Sequence, residues 1–270
     1  MLKKFRELNL EENQIALLYL GQEGFLIKTK NKYILIDGYL SDYVDQNCCS
    51  QEVKWVRNYP SPISGEELSF VDYVFCTHGH ADHADPDTLS AINRVNTKAM
   101  YIVPNPIVPM ICSFGISEKN IIPAKADMEI TLGEICVMPI PAAHEQLNQD
   151  ENGDYCELGY KIEMGGTTLF HSGDCCVYDG LEERLCGVDI AMLPINGRDY
   201  YRLSNNIVGN MDSKEAVILS QRIHAKLLIP MHFDLYEINS VNPAHFVDCL
   251  QRINPKQGFH IFAVGETYIF

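Results

Sequence analysis

Three histidines and an aspartate fall within six positions, His78-Gly79-His80-Ala81-Asp82-His83, directly behind the apolar run Val71–Cys76. Imidazole nitrogen and carboxylate oxygen are donors that Zn²⁺, Mn²⁺ and Fe²⁺ all accept, so this dense set on a strand-to-loop turn is chemistry for holding one or two divalent cations. Further donors stand where strand-like runs stop: Asp37 after Tyr33–Ile36, His144 after Ala142-Ala143, Asp174 after His171-Ser172-Gly173, and His232 after Pro230-Met231. Ligands at strand ends gather on one edge, so these residues are expected to meet. A bound divalent ion acidifies water and polarises the bond under attack. Hydrolysis is the expected reaction, with a metal-bound hydroxide as nucleophile, Asp82 accepting its hydrogen bond or proton, and a second ion stabilising the developing oxyanion.

Substrate contacts are expected from the loop Asn196-Gly197-Arg198-Asp199-Tyr200-Tyr201-Arg202 and its continuation to Gly209-Asn210-Met211. Arg198 and Arg202 carry planar forks that match carboxylate or phosphate, and Asn196 and Asn210 add amide donors. The bland alternative is that Arg198 pairs with Asp199 or another acid and only holds the loop. Glu145, Asp234 and His171 flank ligands and could orient them or serve as structural hydrogen-bond partners. Cys175 and Cys176 are expected as buried thiols, and Trp55 and Tyr43 are weaker candidates for a pocket wall.

The elements that must carry these residues are short strands separated by turns and helices. Ile15–Leu20, Gly24–Lys28 and Tyr33–Gly38 read as an antiparallel opening, followed by a loop-rich excursion over 39–70. Asp85–Ile92 reads as a capped helix start, and Ser213–Ala225 as a helix with Asp212 at its N-cap and Glu215 at capping-box spacing. Strand-like runs recur at Met100–Val103, Glu134–Ile140, Gly159–Met164, Thr168–His171, Ile190–Ile195, Leu227–Pro230 and Ile261–Val264. Two sheets with outer helices satisfy this alternation, an α/β sandwich of αβ/βα type formed by one domain over residues 1–270.

Composition narrows the function. The 270 residues are 46% hydrophobic and 21% charged, ordinary for a globular chain. A formal net charge of −15 repels polyanions, so a nucleic-acid partner is not expected, whereas a small phosphorylated metabolite stays compatible. The charged start Met1–Glu7 lacks a signal-peptide core and no apolar run reaches spanning length, so a soluble cytoplasmic protein without membrane contact is expected. The ten cysteines show no CxxC pattern and are read as reduced thiols. A homo-oligomer is compatible with the sequence.

The ordered set of an early Asp, then H-x-H-x-D-H, His, Asp and His resembles the metallo-β-lactamase superfamily over nearly the whole chain. Thr77–His83, Phe170–Asp174 and Ile229–Asp234 look closest to the branch around L-ascorbate-6-phosphate lactonase and its metal-dependent hydrolase relatives. The resemblance implies a four-layer αβ/βα sandwich, one ion on His78, His80 and His144, and another on Asp82, His83 and His232. It also implies that Asp174 bridges both ions while Asp37 orients the histidine loop. His80 stands where flavodiiron proteins of this fold carry a glutamate, which argues for hydrolysis over redox chemistry. The expected cofactor is one or two Mn²⁺ or Zn²⁺ ions, with Fe²⁺ also accommodated. The expected substrate is a small anionic metabolite such as a sugar-acid lactone, with or without a phosphate; the alternatives are a phosphodiesterase or nuclease on the same two-metal site, or a metal-binding scaffold without turnover.

Overall fold

Ile15, Leu17 and Tyr19 face one way, Ala16, Leu18 and Leu20 the other, and all six are buried. Burial on both faces is why the central strands read as unbroken apolar runs. The computed structural model describes residues 1–270 and shows where the two faces go. One sheet contains β1 (Ala16–Gly21), β2 (Gly24–Lys28), β3 (Tyr33–Ile36), β4 (Tyr73–Phe75), β5 (Met100–Pro104) and β6 (Ile121–Ala124). The other contains β7 (Ile130–Leu132), β8 (Ile135–Pro141), β9 (Leu158–Met164), β10 (Thr167–His171), β11 (Ile190–Pro194), β12 (Leu227–Met231) and β13 (Gly258–Phe259), and β14 (Thr267–Ile269) returns to the first sheet beside β1.

The strand orders are β14-β1-β2-β3-β4-β5-β6 and β13-β12-β11-β10-β9-β8-β7. In each sheet an antiparallel half leads into a parallel half, β3 to β6 in the first and β10 to β13 in the second. A shared core of 23 buried residues lies between the sheets, with Ile34 and Ile36 of β3 meeting Ile190 and Met192 of β11 and Ile229 and Met231 of β12. Each such side chain contributes about 1.5–3 kcal/mol on leaving water.

The outer faces are covered by helices. These are α1 (Leu2–Arg6), α2 (Tyr43–Asn47), α3 (Pro86–Val95), α4 (Val108–Ser113), α5 (Leu181–Arg184), α6 (Tyr200–Ser204), α7 (Ser213–Arg222) and α8 (Pro243–Ile253). Leu89 and Ile92 of α3 and Ile111 of α4 pack on the first sheet; Val217 of α7 and Phe246 and Leu250 of α8 pack on the second. The result is the expected αβ/βα sandwich. The predicted caps are present: Asp85 accepts from Asp87 N at the start of α3, and Asp212 with Glu215 forms a capping box on α7.

One expected strand is not formed. Ile261–Val264 is irregular, because here the chain crosses from β13 in one sheet to β14 in the other. Its apolar character comes from Phe262, buried in the core between the sheets, and the turn at Gly265 (φ 83°) completes the crossing. No helix is long and apolar enough to cross a membrane.

Candidate metal centre

The C-terminal ends of β1, β3, β4, β8, β10 and β12 open on one edge of the sandwich, where side chains from both sheets meet. Asp37, at the end of β3, is the anchor. It is fully buried, takes Thr77 N (2.8 Å) and Thr77 Oγ1 (2.6 Å), and lies 2.8 Å from His83 Nδ1. That contact assigns the ring proton of His83 to Nδ1 and turns Nε2 towards the cavity. The loop then folds back on itself, with His83 N and Ala84 N both donating to His80 O, and passes into the N-cap of α3.

Opposite, the loop after β10 comes so close that a Cβ at Gly173 (φ 58°) would lie 2.6 Å from Thr77 Cβ. Only glycine fits there, and the approach sets Asp174 among four imidazoles. Its Oδ2 is 3.3 Å from His144 Nε2, 3.6 Å from His83 Nε2 and 3.9 Å from His78 Nε2, while Oδ1 is 3.3 Å from His232 Nε2. Two donor groups result, His78, His80, His144 and Asp174 in one and Asp82, His83 and His232 in the other, each with ligand atoms within 4.8 Å of one another. The sequence candidates therefore do assemble.

A divalent ion fits these donors. His83 Nε2 is buried with no hydrogen-bond partner, 3.7 Å from Asp82 Oδ2 and 3.6 Å from Asp174 Oδ2. Those separations exceed a hydrogen bond and leave room for a cation between three donors. Burial, reinforced by His83 and by other neighbouring imidazoles, holds His78 well below the usual imidazole range, and burial lowers His80. Neutral imidazole is the ligating form. Against its burial, Asp174 is held well below the carboxylate range by His232, His83 and His144, and His83 is raised by Asp82, Asp174 and Asp37.

A cavity of about 210 Å³ opens over the donors. His80, Asp82, His144, Asp174 and His232 line it from below, and Val44, Trp55, Ile207, Val208 and Tyr236 supply apolar walls; no Lys or Arg borders it. Trp55 is thus a wall residue, whereas Tyr43 is not among the lining residues.

The four expected substrate contacts have partners within the chain, and none of them is among the cavity-lining residues. Arg198 grips Glu215 with both fork nitrogens (2.7 and 2.6 Å) and donates to Asn210 O, so it stays with the N-terminal turn of α7. Arg202 pairs with Asp199, donates to Asn239 Oδ1 (2.8 Å) and to Ser240 O, and is buried. Asn196 donates to Asn239 Oδ1, and Asn210 donates to Asp174 Oδ1 (2.7 Å) and Asn196 Oδ1. Each fork has an acid from its own loop or helix in reach, which is the bland reading of Arg198 with Glu215 in place of Asp199. Asn210 is thus held against Asp174, and the same loop borders the cavity through Asn206, Ile207 and Val208.

The flanking residues are structural partners: Glu145 accepts from Gly209 N, Asp234 from Tyr59 Oη, and His171 Nε2 donates to Glu23 O. Cys175 and Cys176 are buried, with burial pushing both thiols up, and neither lines the cavity. Two residues went unread in the sequence, Gln22 and Glu23 in the β1–β2 turn. Gln22 Nε2 donates to Asp82 Oδ2 (2.8 Å) and lies 3.0 Å from His232 Nε2; Glu23 is fully buried beside His83 and Asp174. Gly21-Gln22-Glu23-Gly24 is ordinary turn composition and carries no sequence signal for either role.

The family model described as "Beta-lactamase superfamily domain" matches residues 32–233. Among curated proteins, the chain is 27% identical over 273 residues to a UPF0173 metal-dependent hydrolase of Archaeoglobus fulgidus, covering 95% of this chain and 99% of that one. A second UPF0173 metal-dependent hydrolase, from Alkaliphilus metalliredigens, is 27% identical over 261 residues and covers 93% of this chain and 98% of its own. Among solved structures, Igni18, a metallo hydrolase of Ignicoccus hospitalis, superposes with a TM-score of 0.73 at 20% identity, over 95% of this chain and 98% of that one. An isothiocyanate hydrolase from Delia radicum gut bacteria has a TM-score of 0.73 at 18% identity, over 94% and 98% of the two chains.

Proposed function

The chain belongs to the metallo-β-lactamase superfamily and is a metal-dependent hydrolase, and from that footing we propose that it opens a small lactone or related ester at a two-cation centre. The observation that carries the substrate reading is the cavity: about 210 Å³, with apolar walls and no Lys or Arg. A phosphorylated or multiply charged substrate would enter without a counter-charge from the protein, since Arg198 and Arg202 are engaged elsewhere. The reading is therefore a sugar-type or simpler lactone whose reacting end is uncharged.

His78, His80 and His144 would hold one cation, Asp82, His83 and His232 the other, with Asp174 between them. Cations held there supply Lewis acidity and a water that deprotonates near neutral pH. Asp82, the second group's carboxylate, lines the cavity, which supports reading it as the group that takes a proton from water. Gln22 fixes it by donating to Oδ2. Asn210 fixes Asp174, and the Asp37–Thr77 pair fixes His83, so the donors need little rearrangement. The apolar walls exclude bulk water from the reacting carbonyl and strengthen these charges.

The test is turnover of a panel by protein loaded separately with Mn²⁺ and Zn²⁺, with Asp82→Ala as the blank. Unphosphorylated lactones are expected to open, phosphorylated ones to react more slowly, and the blank to lose at least about a hundredfold. Cleavage confined to phosphodiesters would replace this reading with the phosphodiesterase one.

A further inference from the structure

Glu23 stands at the inner end of the centre with both carboxylate oxygens buried and without any hydrogen-bond partner. A glutamic acid kept neutral for structural reasons would donate its proton to an acceptor. Of its carboxylate neighbours, Asp37 has both oxygens engaged by Thr77 and His83, and Glu23 Oε2 lies 3.8 Å from His83 Nδ1. The turn that carries Glu23 is pinned at both neighbouring carbonyls. Gln22 O accepts from His232 N (2.9 Å) and from Tyr19 Oη (3.1 Å), and Glu23 O accepts from His171 Nε2 (2.8 Å). The side chain is thus aimed inward by three separate elements.

Its surroundings are anionic. Glu23, Asp37, Asp82 and Asp174 all belong to the overlapping donor groups of the centre, and none of their ion pairs includes Lys or Arg. Four buried or half-buried carboxylates without a fixed cation are costly. Divalent ions among these carboxylates would offset their mutual repulsion, two more completely than one.

We propose that Glu23 is a positioning residue of the centre, the carboxylate that makes the second cation site, on Asp82, His83 and His232, tight enough to be filled together with the first. The proposal rests on the two-cation reading above. Glu23 acts from behind His83, on the same side as Asp37, and Asp174 carries its charge to both sites.

The experiment is metal titration of chelator-stripped protein with Mn²⁺ and with Zn²⁺, read by calorimetry and by metal content after desalting, for wild type, Glu23→Gln and Glu23→Asp. Wild type takes two ions per chain. Glu23→Gln keeps the first ion at unchanged affinity and binds the second at least tenfold more weakly, while its stripped form melts no lower than stripped wild type, since the amide matches the side chain in size. Glu23→Asp, whose carboxylate is drawn back by one methylene, binds the second ion with an affinity between the two, and it carries the test alone if Glu23→Gln does not fold, with an affinity equal to wild type then counting against the proposal. Two ions of equal affinity in wild type and Glu23→Gln overturn the role of Glu23 and leave the two-cation reading intact. A single ion in wild type overturns both.

Discussion

Asn210 is a residue whose type suits two roles, and its geometry favours one of them. An amide beside a helix N-terminus suggests a substrate contact, but its Nδ2 is spent on Asp174 Oδ1, which leaves Oδ2 facing His78, His83 and His144. Asn210→Ala is expected to lower cation affinity by about 10–100-fold with KM unchanged once metal is saturating; a raised KM at saturating metal would return Asn210 to the substrate. The donors themselves were legible because histidine and aspartate at such density have few other uses. Glu23 was not, because nothing local distinguishes a glutamate in a hairpin turn from a solvated one; its burial depends on β10 and β12 arriving from the other sheet.

The elements were legible to the extent that their signals are local. Asp85 and Asp212 announce α3 and α7 through caps, and β1 to β4 and β8 to β12 through apolar runs with turn residues between them. Ile261–Val264 carries the same apolar signal but serves a crossing between sheets, a fact of topology that periodicity cannot express. The loops that follow the strands are strained where they hold the site. Of the seven non-glycine residues with positive φ, Gln22, Asp37, Glu145 and His232 lie in or beside the centre. Gly173 combines a left-handed backbone with a close approach, since any side chain there meets Thr77 and so displaces the partner of Asp37. Gly173→Ala is expected to cost at least about 2 kcal/mol of stability, from the left-handed conformation and the overlap together, and to loosen metal binding in parallel. A Tm within a degree of wild type would show that the two loops can part without loss.

At the scale of the molecule, the centre is a bracket across two sheets. The first sheet and its loops supply Asp37, His78, His80, Asp82 and His83, and the second supplies His144, Asp174 and His232. Ions that bind only the docked arrangement stabilise it by mass action, by about 4 kcal/mol at a thousandfold excess over Kd. Stripping the metal with a chelator is expected to lower Tm by on the order of 10 °C, reversibly on adding Mn²⁺ or Zn²⁺. An unchanged Tm on stripping would mean that the sheets dock without help from the ions. The fold class was accessible from the strand rhythm, whereas the character of the cavity was not, because its walls come from the 39–70 excursion, the loop before α7 and the segment after β12.

The division of ligands between the sheets also has a consequence for the order in which the protein is made. A chain emerging from the ribosome presents Asp37 and the histidine loop first, but His144, Asp174 and His232 only much later, and β1 waits for β14 at residues 267–269 before its sheet is closed. The first donor group lacks its last member until Asp174 is made and the second until His232 is made, so the two halves of the centre are completed at different stages of synthesis, the first well ahead of the second.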